Sequence, residues 1–563
     1  MPVSRREFIK TVGAFSTLYA FTGCCTFRKV TRLNLGKDTV VVDPHCHIFN
    51  GRDLDIYNYI VNSPMFKKLG LVEGPILDGL VALVTKIAPP LDDDLAFVNG
   101  HIDARKRWMA SPSRPSLDED AEDQYDVELR RDIAQLRSNV RSLRSDGISR
   151  EKAKLVLEPS LAKFNREKAK FERSVEKINS QAELEAHYDA VLGFFAAPAY
   201  LDFIEGMWNS RVVNMYSLFE NHPEVSLFTP AMMNIDSWFQ FLPHQPHIPT
   251  TPIDDQVELY AKISILSRGK MLSFVAFDPR QELEWKPGND PRARVRPTEL
   301  LKSCRDLGCF VGVKLYPPQT AAPANNYLRD CFPSPDGPPA FWPPGFGANL
   351  DKVMDDLFKQ CVACDFSVMA HTDRSCNHWN DFLDNGSPRN WKAALLNGNQ
   401  RLRVNLAHYG GITDPDHWRE GDSSTGVIGI NELLQDDALP GVYTDIADFS
   451  EIESAPELAD AFLSKLETEV TEYPVVAKRV MYGSDYYMDG ITKCYELYCH
   501  DWIAKFKDKF PLTWKDYMGN NALAFLALQD GNQGQGKLVR GFLDVNKLHP
   551  KWRKDLTLIA PAS

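Results

Sequence analysis

The chain has 563 residues, 44% of them apolar, and a formal net charge of −12. That is the composition of a globular protein with a sizeable core, long enough for one elaborated domain or several ordinary ones. The acidic balance argues against a nucleic-acid partner, and the intermixed signs of charge read as a solvated surface.

The first segment stands apart. Ser4-Arg5-Arg6-Glu7-Phe8 precedes an apolar stretch, Thr11 to Phe21, that is too short to span a bilayer comfortably and reads as the core of a signal. The pattern resembles a twin-arginine export signal, and Thr22-Gly23-Cys24 resembles a lipobox with Cys24 as the lipidated residue, although Phe21 departs from the usual aliphatic residue. An ordinary cleaved signal or a retained anchor are the alternatives. Residues 1–30 are thus set aside from the fold. The expectation is an exported protein, periplasmic or a membrane-anchored lipoprotein, that meets the membrane only through this segment. The resemblance implies folding before export, so the eleven cysteines are expected to be reduced. Cys361-x-x-Cys364 lies in a helical pattern and reads as two core-facing thiols.

Eight short apolar runs follow: Thr39–Val42, Val225–Met233, Leu272–Phe277, Phe310–Leu315, Phe366–Ala370, Leu402–Ala407, Gly441–Ile446 and Arg479–Tyr482. Amphipathic segments of helical length separate most of them, among them Asp254–Ser267, Arg296–Leu307 and Leu350–Cys364. Continuously apolar strands alternating with helices predict a parallel sheet covered on both faces. Eight such units favour a (β/α)8 barrel over an open sheet, and no Gly-rich phosphate loop supports the open form.

A barrel needs about 250 residues, and the predicted barrel region, 38–530, is far longer. One surplus, 51–203, follows the first run. It is predicted to be mainly helical, because Leu129, Ile133, Leu136, Val140 and Leu143 form one stripe. That stripe is expected to pack against a neighbouring helix. The other surplus, Pro317 to Ala348, follows the fourth run and includes Phe341-Trp342-Pro343-Pro344, which is loop chemistry. Both leave the C-terminal ends of strands, so both are expected to wall the pocket. Residues 531–563 form a C-terminal tail.

The chemistry begins at Asp43-Pro44-His45-Cys46-His47. Alternation along a strand sends His45 and His47 to one face and Cys46 to the other. Two imidazoles so placed can hold one cation at about 2.0–2.1 Å each. His371, His408 and Asp485 each close or follow a later apolar run, where a barrel gathers its active site. A buried imidazole or carboxylate there needs a partner, and a metal supplies one. Arg280, after the third run, is a candidate clamp for a substrate carboxylate, with pairing to Asp278 as the alternative. Asp445, at the end of the seventh run, either orients a ligand or is structural. His244, His247 and His378 lie in loops and are left out of the site.

These pieces resemble the amidohydrolase superfamily, and most closely its amidohydrolase-related branch, which includes decarboxylases. The matching segments are Val42 to His47, Gly312 to Pro317, Val368 to Thr372, Val404 to Gly411 and Met481 to Asp485, with Gly519-Asn520-Asn521-Ala522 similar to the closing helix. The resemblance implies that His45, His47, His371 and Asp485 bind a divalent metal, zinc by expectation. It makes Asp485 the base for a metal-activated water and lets His408 polarise the substrate or steady developing charge. Lys314 stands where binuclear relatives carry a bridging lysine, so two ions are the alternative to one. Otherwise Lys314 is a cation for an anionic substrate group. The implied activity is hydrolysis of an amide, lactone or ester bond of a small molecule. Non-oxidative decarboxylation in the same pocket is the alternative, and an inactive binding lipoprotein the second. Association with a second copy stays open.

Overall fold

In the computed structural model the apolar runs become eight strands: β1 (Val42–Cys46), β2 (Leu227–Pro230), β3 (Ser273–Ala276), β4 (Phe310–Leu315), β5 (Ser367–His371), β6 (Val404–Ala407), β7 (Val442–Asp445) and β8 (Val480–Met481). The residues described are 39–62, 88–110, 128–136, 206–235, 250–288, 292–319, 321–328, 343–373, 384–411, 426–449, 456–487, 497–529 and 533–556, with a few isolated positions between them. The export signal with Cys24, His244, His247, His378, Trp342, Val140 and Leu143 lie outside them.

Strands β3 to β8 form one parallel sheet in chain order, and β1 pairs with β2 in a second. Isolated parallel bridges connect the two. Phe228 with Met271 and Ala231 with Phe274 link β2 to β3, and Cys46 with Tyr486 links β1 to the chain after β8. The expected unbroken ladder around a ring is therefore interrupted at two seams. The reason is local. β1 shifts register between Asp43 and Cys46, and the chain beyond β8 leaves the extended form at Asp485, whose φ is 53°. The first strand also lies three residues later than its apolar run, so His45 sits inside it.

The central strands are buried on both faces, which is why they read as continuous apolar runs. Gly312 shows how closely they pack: a Cβ there would lie 2.3 Å from Phe274 Cε1 and 2.4 Å from the Ser367 carbonyl. Helices Ile253–Leu266, Pro297–Leu307, Phe346–Cys364, Pro388–Leu396, Gly426–Gln435 and Pro456–Glu472 fill the intervals between strands. The loop after β4 carries two short 3-10 turns and a two-stranded antiparallel ribbon, Cys331–Phe332 with Ala340–Phe341. The tail folds back. Trp552 Nε1 donates to the Gly269 carbonyl at 2.8 Å, and Gln535 Nε2 to the Phe310 carbonyl at 2.6 Å.

Within the insertion after β1, helix Leu91–Ala110 packs on Ile253–Leu266, and residues 128–136 are helical. Leu129 and Ile133 join the main core. A buried ion cluster fastens this part: Arg211 donates to Asp53 at 2.6 and 2.8 Å and to Asp94 at 2.7 Å. Among the described residues no helix is long and apolar enough to cross a membrane.

Candidate metal centre

The C-terminal ends of β1, β5, β6 and β7 and the chain after β8 bring His45, His47, His371, His408 and Asp485 together. Hydrogen bonds set the state of each imidazole. His45 Nδ1 lies 3.0 Å from Asp445 Oδ2. His47 Nδ1 lies 2.8 Å from the Ala231 carbonyl. A carbonyl only accepts, and an ionised carboxylate likewise, so both rings carry their proton on Nδ1 and present a lone pair at Nε2. Asp485 Oδ1 stands 3.1 Å from His47 Nε2 and 3.4 Å from His45 Nε2, yet no hydrogen bond ends on it. Three buried acceptors thus converge; the Lys314 ammonium donates to His45 Nε2 at 3.0 Å, and a bound cation would satisfy His47 Nε2 and Asp485 Oδ1. The donor set fits a divalent metal held by His45, His47 and Asp485.

His371 is half of an imidazole pair beside these three. Its Nδ1 donates to His408 Nε2 at 3.0 Å, because His408 Nδ1 is taken by the Ala447 carbonyl at 3.2 Å. Its Nε2 is buried without a hydrogen bond. It borders the centre as half of an imidazole pair and is not among the three converging ligands. Lys314 is buried on β4, and its ammonium donates to His45 Nε2 at 3.0 Å and approaches Met369 Sδ at 3.4 Å. Tyr316, two residues on, has its ring 4.9 Å from the same ammonium. Arg280 is engaged not by Asp278 but by Glu284, at 2.9 Å one helical turn on; Asp278 instead caps that helix through its backbone.

Asp445, whose role the sequence left open, is the hub. Oδ2 accepts from His45 Nδ1 and from Asn405 Nδ2 at 2.5 Å. Oδ1 accepts from the backbone N–H of His408 at 2.9 Å and of Ala447 at 3.1 Å. Asp43 plays a matching part below. Its carboxylate accepts from Ser484 Oγ at 2.6 Å, from Ser484 N–H at 3.1 Å and from His45 N–H at 3.2 Å. Nothing in the sequence pattern assigns a task to Asp43, Ser484 or Asn405. Asn405 did carry a signal, being a polar side chain within an otherwise apolar strand.

Burial pushes the His45 imidazole down to about 4, helped by the Lys314 ammonium and opposed by Asp445 and Asp485. Burial, His408 and Lys314 hold His371 well below its usual value. Burial alone would raise Asp485, but His45, His47 and His408 outweigh it and keep the carboxyl well below the usual range. Asp445 is held low in the same way, by His45 against burial. His45 and His371 are therefore neutral and the two aspartates charged near pH 7, the state that ligation requires.

The arrangement is a parallel α/β scaffold with a His–His–Asp centre at its strand ends. No family model matches the chain, and no curated protein matches it. Some solved structures align with part of this chain at low similarity. An uncharacterised TIM-barrel protein from Bordetella bronchiseptica is 14% identical, with a TM-score of 0.34 over 56% of this chain and 82% of its own. A protein described as a 2-pyrone-4,6-dicarboxylic acid hydrolase from Pseudomonas putida is 13% identical, with a TM-score of 0.33 over 56% and 87%. A protein from Acinetobacter baumannii described in the same way, with citric acid bound, is 13% identical, with a TM-score of 0.30 over 55% and 88%.

Proposed function

We propose that the chain is a metal-dependent hydrolase of a (β/α)8 barrel type, acting on an amide, lactone or ester bond. The observation that carries this reading is the convergence of His45 Nε2, His47 Nε2 and Asp485 Oδ1, with Asp485 Oδ1 buried and without a hydrogen bond. A divalent cation held there, zinc by its N and O donors, supplies Lewis acidity and acidifies water. The residues do the rest. Asp485, ionised, takes a proton from the attacking water and passes it to the leaving group. His408 has no proton of its own at Nε2, so any hydrogen bond from it to substrate draws on the proton that His371 now donates. Lys314 offers a positive charge to an anionic oxygen of the substrate. Decarboxylation is disfavoured by Arg280, the candidate grip on a substrate carboxylate, which Glu284 holds instead. Export by the twin-arginine route, with lipid at Cys24, is part of the same reading and is tested by lipid labelling of Cys24→Ala.

The deciding experiment is metal analysis of the purified chain beside His45→Ala and Asp485→Asn, with a panel of lactones, esters and amides and an assay for carbon dioxide release. Hydrolysis that falls at least 1,000-fold in both variants, on the scale of one essential group, with metal lost from His45→Ala, is the expected result. Full turnover after complete removal of metal refutes the reading.

A further inference from the structure

We propose that the side of the molecule where the parallel strands begin is a docking surface for an anionic phospholipid membrane, with the metal centre facing away from the lipid. Seven large apolar side chains are exposed among the described residues, and five of them, Leu307, Leu396, Tyr473, Leu512 and Val545, lie on this side. Leu307, Leu396 and Tyr473 stand at the ends of helices that lead into β4, β6 and β8. Leu512 follows helix Tyr498–Lys509, and the next helical turn, Asp516–Asn520, brings Gly519 against the Val40 carbonyl at the entry to β1. Val545 ends helix Gly534–Val545, which crosses beneath the sheet: Leu538 and Phe542 pack on Gly308 before β4, and Leu543 on Gly269 before β3. Tyr327 and Leu328, the other two, belong to the loop after β4 on the opposite side.

A lone exposed apolar residue needs no explanation. Here they gather on one side, and the two most exposed, Leu512 at 96% and Val545 at 82%, each have lysines beside them. The ammonium groups of Lys507 and Lys515 lie 4.5 and 6.0 Å from the ring of Trp514, two residues after Leu512. Lys547, exposed, follows Val545 by two residues. Apolar tips set among lysines suit a surface where side chains enter the acyl boundary while ammonium groups meet phosphate. The chain as a whole carries −12, so these lysines also orient an acidic molecule toward an anionic surface. The N-terminal chain reaches the same side. Leu33 N–H donates to Glu224 Oε1 at 2.8 Å, in the turn that leads into β2, and Leu33 and Leu35 pack on the core. Cys24 lies nine residues earlier, a reach of about 30 Å at most. On the lipid-anchor reading above, that tether delivers this side first to the bilayer.

The test takes the full-length chain with Cys24→Ala, which carries no lipid at that position, and floats it with vesicles of phosphatidylethanolamine and phosphatidylglycerol or of phosphatidylcholine alone. Binding to the anionic vesicles is expected. Leu512→Ser with Val545→Ser should weaken it roughly 10-fold or more, the scale of withdrawing two apolar side chains from lipid. Lys507→Gln with Lys515→Gln should weaken it several-fold. Tyr327→Ser with Leu328→Ser, on the opposite side, should leave it unchanged. The four apolar positions are exposed, so these variants are expected to fold, and melting curves check it. A chain that does not float with the anionic vesicles overturns the proposal. So does binding that ignores the Leu512 and Val545 substitutions, or that is as tight on phosphatidylcholine. Self-association that the same substitutions abolish, in place of vesicle binding, overturns it in favour of a second copy. Metal content and hydrolysis are measured on the same samples: vesicle binding without them leaves the docking surface standing and the proposed function fallen, and the reverse result does the opposite.

Discussion

Asp445 receives four hydrogen bonds and sits behind two histidines at once. Asp445→Asn keeps the size but removes the charge that holds the His45 Nδ1 proton. Metal affinity is expected to fall about 10–100-fold, as for other partners behind a ligand, with the melting curve little changed. Competition with a chelator measures it, and unaltered affinity contradicts the role. His222 offers a pH prediction away from the centre. It is buried, neither ring nitrogen has a hydrogen bond, and its ring meets Tyr486 edge-on. Burial, then Lys270 and His500, push it from 6.5 down to about 3, with Glu224 two residues on paired to His500. Between those values the unfolded chain binds a proton that the folded chain refuses, so stability is lost as pH falls below about 6.5. Urea midpoints from pH 7.5 to 4.5 should drop more steeply for wild type than for His222→Phe. Equal slopes dismiss the account. Neither role was legible in the sequence, because a hydrogen-bond hub and a buried ring are defined by neighbours far along the chain.

At the level of elements, the strands were legible because burial on both faces leaves an unbroken apolar run, and β4 matches its run residue for residue. The apolar run ended short of the end of β1 because the strand's remainder, Asp43 to Cys46, is largely polar and yet buried. The insertion was legible only as helical stripes, with no hint of what anchors it. Arg211 does so, tying Asp53 beyond β1 to Asp94 of Leu91–Ala110 from its own helix, Arg211–Asn221. Both carboxylates are buried, and burial raises Asp94 despite the guanidinium. Arg211→Met strands two buried charges and should cost about 3–5 kcal/mol, read as a lower denaturant midpoint with the strand core still cooperative. A change under about 1 kcal/mol, the usual worth of an exposed pair, would show that the cluster is not an anchor.

Across the whole molecule, the first and last strands meet at a seam outside the two main parallel sheets. At that seam the backbone pairing is reduced to the Cys46–Tyr486 bridge, with the N–H of His47 donating to the Tyr486 carbonyl at 2.5 Å and that of Asp485 to the His45 carbonyl at 2.8 Å; Asp43 and Ser484 add side-chain hydrogen bonds. Burial already raises Asp43 to about 7 against the hydrogen bonds from Ser484. Ser484→Ala removes the 2.6 Å bond to Asp43 and the acceptor for Tyr486 N–H at 3.0 Å. A loss of about 1–3 kcal/mol is expected, together with faster amide exchange at His45 and Asp485. Unchanged exchange there would show that the seam is held elsewhere. The sequence could indicate eight strands and their order, but a seam held partly by side chains leaves no periodic trace.

One consequence of β1 concerns which elements the protein can recruit. Cys46 lies between His45 and His47, on the opposite side of the pleat. It is fully buried, and burial pushes its thiol well above the ordinary range. A slip of one residue along this strand would turn sulfur inward and both imidazoles outward. Thiolate favours soft ions such as copper(I), whereas imidazole and carboxylate favour zinc and manganese. On the proposed metal-dependent reading, the Asp43–Ser484 hydrogen bonds that help hold the strand in place also keep the Cys46 thiol turned away from the site.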